Sequence, residues 1–370
     1  MKLKLKNTPE QVELIKAMGS RDQAVASEAS EAFAAFISPV IQKVLNQAGT
    51  SPMIYSDMAY DEDDNPSIPL DLWYDESQGF ITVWSQAVGG GLPTSEVTGM
   101  KELKISTYRL DSAVSWLKRY ARRARLDIVG KALERMSQEV LLKQERNAWA
   151  VILKALAEAS TNSLKHVIGT STANVFLPDD LSRLMTRIKR INTAWSGGTP
   201  DIMDAKGLTD LFMSPEVMEQ IRGFAYNPVN TVGNQSTGPV ALPDGARERV
   251  WNAAGMSEMY GVNLHELLEL GSGNKYNSLF GSLVTSSGET IVGGGNTGTF
   301  AAGSDELLVG FDLSRDGFVR PVARQHDSSG TFSVLPDDQF VARAEKMGFY
   351  GFLEEGRVCV DARAVVGIVM

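Results

Sequence analysis

Residues 126–159 read LDIVGKALERMSQEVLLKQERNAWAVILKALAEA, and this stretch predicts one long helix. Apolar residues recur in it at spacings of three and four, which is the period of an amphipathic helix. They are Val129, Leu133, Met136, Val140, Trp149, Ile152 and Leu156. Asp127 is placed to cap the helix. Another face carries the charged ladder Arg135, Glu139 and Lys143. At a rise of 1.5 Å per residue the helix is about 50 Å long, so it needs a surface to lie against along its whole length.

The composition limits what kind of protein this is. The chain has 370 residues, of which 43% are hydrophobic, so it can bury a sizeable core. Its formal net charge of -9 argues against general binding of nucleic acid. The single cysteine, Cys359, excludes an intrachain disulfide and is expected to be a small buried side chain on a strand. No signal peptide follows the basic N-terminal residues, and no apolar run approaches the length of a membrane span. We therefore expect a soluble protein.

The N-terminal residues 7–49 predict a series of short helices. Thr8 begins the first and Gly19 ends it, while Pro39 begins a last helix that ends at Gly49. This region is unusually rich in apolar side chains, namely Phe33, Phe36, Ile37, Val40, Ile41, Val44 and Leu45. They predict either a packed helical subdomain or an arm that lies on a neighbouring subunit.

Residues 70–110 predict a long two-stranded excursion, that is, a hairpin that extends away from the rest of the fold. One strand is FITVW at 80–84, and the other is KELKIS at 101–106, in which polar and apolar residues alternate. The segment between them contains Gly89, Gly90 and Gly91. Because no Lys-Ser/Thr pair follows these glycines, they predict a flexible hairpin tip rather than a phosphate-binding loop. An isolated hairpin is only marginally stable in water, so this one needs support from another chain or surface.

Two charged runs are candidates for contacts between subunits. The acidic run at 57–64 is predicted to lie in a loop, and it ends with Asp61, Glu62, Asp63 and Asp64. It lacks the spacing of a calcium-binding loop, so it predicts a solvated or ion-paired face. The basic run at 118–125 contains Lys118, Arg119, Arg122, Arg123 and Arg125. It could contact nucleic acid, with Tyr120 stacking on a base, or pair with the acidic run within or between subunits. The acidic charge of the whole chain favours the pairing.

The middle and the end of the chain predict an α+β arrangement. A helix opens at Pro178, and a strand at 210–214 leads into a second helix that starts at Ser214. A long surface loop is predicted at 227–244. From Glu306 onward the pattern is that of antiparallel strands with glycine-containing turns, including a strand at 358–363 and a final strand at the C-terminus.

Motifs for chemistry are few. Residues Gly293 to Gly298 match the glycine pattern of a dinucleotide-binding turn. The next strand begins near Leu307, which leaves too few residues for the crossover helix that such a site needs, so a hairpin loop is favoured. The three histidines are far apart in sequence: His166, His265 and His326. Neither a zinc-protease helix nor a nucleophile elbow is present. We therefore expect no catalytic residues, no metal site and no cofactor.

The order of the parts resembles the major capsid proteins of tailed bacteriophages, the HK97-like fold family. The residues that carry the resemblance are the return strand at 101–106, the turn into the long helix at 126–129, the helix segment at 145–148, and the closing strands at 340–343 and 358–363. The similarity covers nearly the whole chain and is one of layout.

The resemblance implies a division of the chain into the parts of that fold. The N-terminal arm takes 1–50, the extended E-loop hairpin takes 51–110, and the long spine helix of the P-domain takes 111–160. The mixed α/β A-domain takes most of 161–335, and the closing strands of the P-domain and A-domain take 336–370. In such a shell the arm, the hairpin and the long helix find their support on neighbouring subunits.

The implied function is that of a coat protein that self-assembles through pentamers and hexamers into an icosahedral head around double-stranded DNA, without catalysis. Implied partners are copies of itself, portal and scaffolding proteins, and decoration or cement proteins. DNA is enclosed without sequence-specific binding, and no membrane is involved. The implied location is the virion capsid, assembled in the host cytoplasm. Because the chain starts with Met1 and a short arm, we expect the scaffold to be a separate protein. Lys101 and Lys104 match a crosslinking lysine of some relatives by position only.

Two alternatives remain. An encapsulin-like shell has the same fold but encloses a protein cargo. An α/β enzyme that binds a nucleotide through residues 293–298 belongs to a different class of protein, and it predicts nucleotide binding that a bulky residue at Gly295 abolishes.

Overall fold

A computed structural model describes residues 8–47, 49–61, 65–69, 102–123, 126–161, 164–195, 207–224, 258–287, 300–314, 316–324, 332–337 and 345–370. Several predicted features lie outside these residues, namely the strand at 80–84, the loop at 227–244, the glycine turn at 293–298, the strand at 340–343 and His326. The chain divides into two compact units. The first consists of Met1–Arg146 and Val319–Val358, and the second consists of Asn147–Phe318 and Cys359–Met370.

The first part of the chain contains four short or medium helices, four strands and the long helix. In order they are α1 (Pro9–Met18), α2 (Gln23–Gln47), α3 (Ser51–Ile54), β1 (Ser56–Asp61), β2 (Ser67–Pro69), β3 (Glu102–Lys104), β4 (Thr107–Leu117), α4 (Lys118–Arg122) and α5 (Leu126–Glu158).

The middle and last parts alternate helices with short strands and then continue as strands. In order they are β5 (Ser160–Thr161), β6 (Leu164–Lys165), β7 (Val167–Gly169), α6 (Pro178–Trp195), β8 (Asp210–Met213), α7 (Pro215–Gly223), β9 (Glu258–Met259), β10 (Val262–Glu266), α8 (Lys275–Ser287), β11 (Leu307–Phe311), β12 (Phe318–Arg324), β13 (Ser333–Asp337), β14 (Lys346–Gly356), β15 (Val358–Cys359) and β16 (Val365–Val369).

The predicted long helix is confirmed as α5, which has 33 residues. All seven residues of its predicted apolar stripe are buried. The side chains of Arg135, Glu139 and Lys143 are exposed, as the charged ladder requires. The helix begins at Leu126, so Asp127 lies within its first turn and not at the cap position.

The first unit is built on a six-stranded sheet in which β14 is central. Along its whole length β14 pairs antiparallel with β4, from Lys346 opposite Leu117 to Gly356 opposite Thr107. On its other edge β14 pairs with β13 and, near its end, with β12, and β12 pairs in parallel with β1. Helices α1 and α2 and the first part of α5 contribute to one apolar core with this sheet, in which Phe33 and Trp116 both contact the ring of Phe349.

The prediction of a separate helix beginning at Pro39 is wrong, because α2 continues through this residue. A proline inside a helix removes one backbone hydrogen bond and costs roughly 3 kcal/mol. The buried stripe of α2 continues on both sides of Pro39, through Ile37 and Ile41. In addition, Ser38 Oγ accepts a hydrogen bond of 3.0 Å from the backbone N–H of Val334 in β13. Packing on the sheet therefore outweighs the local preference of the proline. The predicted end is confirmed: α2 ends at Gln47, and Gly49 has a φ of 96°.

Helix α2 also bears on the expectation that no segment could span a membrane. The part of α2 from Gln23 to Ile41 is long and apolar enough for a span by length and composition alone. The apolar side chains Phe33, Ile37 and Ile41 are buried in the core of the first unit. Core packing therefore accounts for the buried part of this composition.

The second unit contains a mixed six-stranded sheet in the order β7-β16-β11-β8-β10-β9. The final strand is confirmed as β16, which lies between β7 and β11 with all five residues buried. Helix α6 begins at Pro178 as predicted, and α7 begins at Pro215 with Ser214 Oγ accepting a hydrogen bond from the N–H of Val217. The sequence thus predicts the element types of this unit well.

The predicted strand at 358–363 is only partly present. Strand β15 ends at Cys359, and a short 3₁₀ turn follows at Ala362–Ala364. Asp361 Oδ1 accepts a hydrogen bond of 2.9 Å from the backbone N–H of Arg363 and a second one from its Nε. An aspartate that caps its own downstream backbone favours a turn over a strand, and this explains the interruption. The predicted turn at Glu355 and Gly356 instead forms the end of β14.

The buried stripe of α5 leads to a test of stability. We expect Leu133→Ala to lower the free energy of unfolding by about 2–5 kcal/mol, because Leu133 is 1% exposed and its loss leaves a cavity. Glu139→Ala, on the exposed face of the same helix, should change it by less than about 0.5 kcal/mol. Urea unfolding followed by circular dichroism measures both. Equal effects of the two variants would contradict the burial assigned to this stripe.

Candidate functional surfaces

The base of the predicted excursion is an antiparallel stem. Strand β2 pairs with β3, with Ser67 opposite Lys104 and Pro69 opposite Glu102. The N–H of Ile105 donates a hydrogen bond of 3.0 Å to the carbonyl of Pro66, which extends the stem. The chain therefore leaves the stem at Pro69 and returns at Glu102, as a hairpin requires. Lys104 is exposed on β3, and the remaining candidates of this region, Gly89, Gly90, Gly91 and Lys101, lie outside the described residues.

The acidic run does not begin as a loop. Residues 57–61 belong to β1, where Tyr60 is buried and Asp57, Ala59 and Asp61 are exposed. This alternation is the two-residue period of a strand with one solvated face, so the acidic residues fit a strand as well as a loop. Asp57 Oδ1 lies 3.3 Å from Arg320 Nε in the neighbouring strand. Asp61 is exposed at the end of β1, and Glu62, Asp63 and Asp64 lie outside the described residues.

The basic run forms α4 and the residue that follows it. Arg119, Arg122 and Arg123 are exposed, and Lys118 is half-buried. Arg122 Nε donates a hydrogen bond of 2.9 Å to the carbonyl of Gly19, while the guanidinium of Arg119 lies over the ring of Tyr120. Arg125 lies outside the described residues. Pairing between the basic and the acidic run stays a prediction.

Helix α2 presents an exposed apolar surface on the side that faces away from the core. Phe36 is 48% exposed and Val40 is 36% exposed. Ala32, Ala35 and Pro39 are exposed beside them, and together these five residues form the α2 apolar face. Large apolar side chains that recur at helical spacing on an exposed surface mark an interaction site. Of the two interpretations of the N-terminal region, the packed subdomain thus describes one side of α2, and contact of the other side with a neighbouring subunit stays a prediction.

A second exposed surface lies on the outer side of the sheet of the first unit. Arg109 Nε is 2.8 Å from Asp111 Oδ1 on β4, and the Arg109 guanidinium stacks 4.1 Å from the ring centre of Phe352 on β14. Tyr350 donates its hydroxyl proton to Asp111 and accepts a hydrogen bond of 3.0 Å from Arg109 Nη2. Burial alone would raise the pKa of Asp111, but the hydrogen bonds from Tyr350 and Arg109 lower it. We call these four side chains the Arg109 cluster. The sequence analysis did not single them out.

The opposite side of the same sheet contains a buried charged cluster around Glu355, which is fully buried. Its carboxylate accepts hydrogen bonds from the hydroxyl of Tyr108 (3.0 Å), from Gln144 Nε2 on α5 (3.1 Å) and from Arg357 Nε (3.3 Å). Arg320 Nε on β12 lies 3.5 Å away. Burial lowers the pKa of Arg357, but the attraction of Glu355 outweighs this and raises it. The cluster thus connects β14 to β4, β12 and α5.

Two histidines, His166 and His265, lie in the second unit, and each contacts neighbouring residues of that unit. His166 is fully buried, its Nδ1 lies 2.9 Å from the carbonyl of Val365, and burial lowers its pKa. His265 Nε2 lies 2.7 Å from Asp210 Oδ1, and its ring stacks on Phe212. Within the described residues, no three His, Cys, Asp or Glu side chains are placed to hold a metal ion.

The only cysteine of the chain, Cys359, lies on β15 as predicted, where it is half-buried. Burial, together with the nearby charge of Asp361, raises the pKa of its thiol to about 12. The thiolate is the reactive form of cysteine, so this thiol is expected to be unreactive in the folded protein.

The buried cluster generates a prediction about stability. We expect Glu355→Gln to lower the free energy of unfolding by about 3–5 kcal/mol, because the substitution leaves two buried guanidinium groups without their shared carboxylate. Glu354→Gln is the matched control. The carboxylate of Glu354 is only partly buried and accepts hydrogen bonds from Tyr60 and Thr107, so we expect a loss of about 1 kcal/mol. Denaturant unfolding measures both, and similar losses would argue against a special role of the buried cluster.

A second prediction concerns Cys359. At pH 8 we expect a thiol reagent such as iodoacetamide to modify the folded protein much more slowly than the urea-unfolded chain, because unfolding restores an ordinary thiol pKa. Raising the pH from 8 to 9 should increase the rate in urea and leave folded Cys359 slow. Mass spectrometry of the intact chain measures the modified fraction over time. Equal rates in both states would show that the thiol is not shielded.

Comparisons with known proteins were made for the sequence and for the structure. No protein-family model matches the sequence, and no curated protein is significantly similar to it. Among solved structures, the capsid of the cyanophage P-SCSP1u has 12% sequence identity and a TM-score of 0.50, over 87% of this chain and 88% of that one. The capsid of the native GTA particle has 9% identity and a TM-score of 0.50, over 87% and 91%.

A shell protein of another kind is less similar. The SrpI encapsulin of Synechococcus elongatus PCC 7942 has 12% identity and a TM-score of 0.39, over 72% of this chain and 74% of that one. The likeness to the two capsids extends over almost the whole chain and confirms the fold class that the sequence predicts. The chain therefore has the α+β, HK97-like fold of phage capsid proteins.

Proposed function

We propose that this chain is the major capsid protein of a tailed bacteriophage, a structural subunit without catalysis that self-assembles through pentamers and hexamers into an icosahedral head around double-stranded DNA. The observation that carries the proposal is the capsid fold, shared along 87% of the chain with the cyanophage P-SCSP1u capsid. At low sequence identity such likeness concerns the fold. The exposed surfaces described above supply the physical argument for assembly.

Three features of the first unit support association with further copies. The α2 apolar face leaves Phe36 and Val40 exposed. The stem of β2 and β3 is the base of a predicted hairpin, and an isolated hairpin is only marginally stable in water. The outer side of the sheet adds exposed Leu335 next to Tyr350 of the Arg109 cluster. Burial of these apolar side chains against neighbouring subunits contributes the favourable free energy that drives assembly.

We assign the parts of the chain accordingly. Residues 1–50 act as the arm and 51–110 as the E-loop, 111–160 contain the spine helix, most of 161–335 forms the A-domain, and 336–370 supply closing strands. The two compact units support a division of this kind. Pairing of the acidic and basic runs, and contacts between subunits through Lys101 and Lys104, belong to the same proposal.

The remaining partners follow from the same proposal. The net charge of -9 suits a container that encloses DNA without holding it by its phosphates. Portal and scaffolding proteins, and decoration or cement proteins, are the expected protein partners, the host cytoplasm is the place of assembly, and the virion is the final location. The encapsulin-like alternative predicts an enclosed protein in place of DNA, and the enzyme alternative predicts nucleotide binding through residues 293–298 that Gly295→Val abolishes.

The proposal is tested by the mass of the purified chain. We expect light scattering to show shells of megadalton mass, or discrete pentamers and hexamers that form shells when a scaffold or a crowding agent is added, and negative-stain images to show the particles. A chain that stays monomeric under all these conditions would contradict the proposal.

The α2 apolar face gives a specific prediction. The double variant Phe36→Glu/Val40→Glu should fold with unchanged thermal stability but lose most of its assembly, because a contact with a neighbour would bury two carboxylates without partners. The control double variant Gln23→Glu/Ala24→Glu adds the same two charges to the exposed start of the same helix and should assemble like the unmodified chain. Light scattering and thermal unfolding measure the two properties. Normal assembly of the double variant would exclude this face as a contact.

A further inference from the structure

Strand β4 is a long edge strand of the sheet in the first unit. All eleven of its residues pair with β14, and β12 and β13 pair with the other edge of β14. Within the residues that the structure describes, no strand pairs with the outer edge of β4. An edge strand presents a row of backbone N–H and C=O groups that can pair with another chain.

The sequence of β4 lacks several of the devices that usually protect such an edge, and its only charged residues are Arg109 and Asp111. Proteins protect edge strands with lysines, prolines, bulges or a short length. The sequence TYRLDSAVSWL contains no lysine, proline or glycine. Its register with β14 is unbroken over eleven pairs, so it has no bulge. The edge is therefore competent to accept a further strand.

The charges on β4 indicate which strand fits. Arg109 and Asp111 are the only charged residues of β4, and they flank Leu110 on both sides. If two copies of β4 pair antiparallel with Leu110 opposite Leu110 of the partner subunit, Arg109 lies opposite Asp111 of the partner subunit, and the reverse contact occurs by symmetry. Opposite charges at directly facing positions stabilise an antiparallel pair. This register aligns seven residues of each strand, from Thr107 to Ala113.

We propose that β4 is a two-fold contact between copies of this chain, in which the two sheets join edge to edge around Leu110. This inference rests on the proposed function, since it assigns one of the contacts through which the subunits associate. Backbone hydrogen bonds supply most of the attraction, and the two Arg109–Asp111 pairs set the register. Both side chains are accessible for this exchange of partners, with 46% and 47% of their surfaces exposed.

The decisive experiment uses charge reversal in two separate variants. Arg109→Asp places two aspartates on β4, and Asp111→Arg places two arginines there. Each variant alone should lose the two-fold contact and with it most of the assembly, because like charges face each other in both pairs. An equimolar mixture should recover assembly, because every pair between the two variants joins opposite charges. Within each variant chain, residues 109 and 111 still carry like charges after mixing. If Arg109 and Asp111 acted only within one chain, the mixture would therefore not recover assembly.

Thermal unfolding of each variant shows that it is folded, and light scattering with negative-stain images measures assembly. Recovery in the mixture supports the contact. Failure of the mixture of folded variants would overturn it, and so would normal assembly of either variant alone. In both cases assembly of the unmodified chain shows that the proposed function still stands.

A crosslink checks the register independently of shell formation. In the proposed pair, Thr107 lies opposite Ala113 of the partner subunit, at the Cα separation of about 4.5–5.5 Å that a disulfide spans. Within one chain these residues are about 20 Å apart along the strand. The variant Thr107→Cys/Ala113→Cys should therefore form disulfide-linked dimers under mild oxidation, while each single variant should not.

The crosslink also separates the two hypotheses. Dimers from the double variant, when the unmodified chain forms no shells, would support the β4 contact and contradict the capsid function. Shells without crosslinked dimers would support the capsid function and contradict the β4 contact. The outer edge of β4 would then be open to another strand, such as a scaffold peptide or the predicted hairpin of a neighbouring copy.

Discussion

The structure depends on burying the apolar stripe of α5, because a helix of this length cannot be stable in water without cover along its side. The first part of the stripe, including Leu133 and Met136, packs in the core of the first unit. The later part lies in the second unit, where Trp149 contacts the rings of Phe212, Tyr276 and Phe311. Each unit thus completes its core with a segment of the same helix, and neither core is whole without it.

The sheet of the first unit adds a second constraint, which is electrostatic. An apolar core alone tolerates shifts of packing, but Glu355 must keep the partners that compensate its buried charge. These partners come from β4, α5 and the segment after β14. A register shift of β14 by one residue would move this carboxylate to the exposed side of the sheet. The cluster therefore disfavours alternative registers, whatever its net contribution to stability.

The sequence predicts those elements whose pattern is local and strong. The period of α5, the proline in the first turn of α1 and the capping serine of α7 identify these helices without any knowledge of the fold. The order of elements along the chain is sufficient to indicate the capsid architecture. Prediction from the sequence fails where tertiary contacts decide which structure a segment adopts. Pro39 has the local character of a helix start, but the sheet beneath it keeps α2 continuous. The alternating carboxylates of β1 fit a strand as well as a loop, and only the pairing with β12 distinguishes the two.

The candidate surfaces were harder to predict, because their members are distant in sequence. Arg109 and Tyr350 are separated by 241 positions and meet only because β4 and β14 are neighbours. This separation also matters during synthesis. Strand β4 leaves the ribosome about 230 residues before its partner begins at Lys346, and at roughly 5–20 residues per second the delay lasts roughly 10–50 s. In that interval β4 cannot pair with β14, so the connectivity of this chain leaves an eleven-residue strand open to pairing with other chains until its own partner has been made.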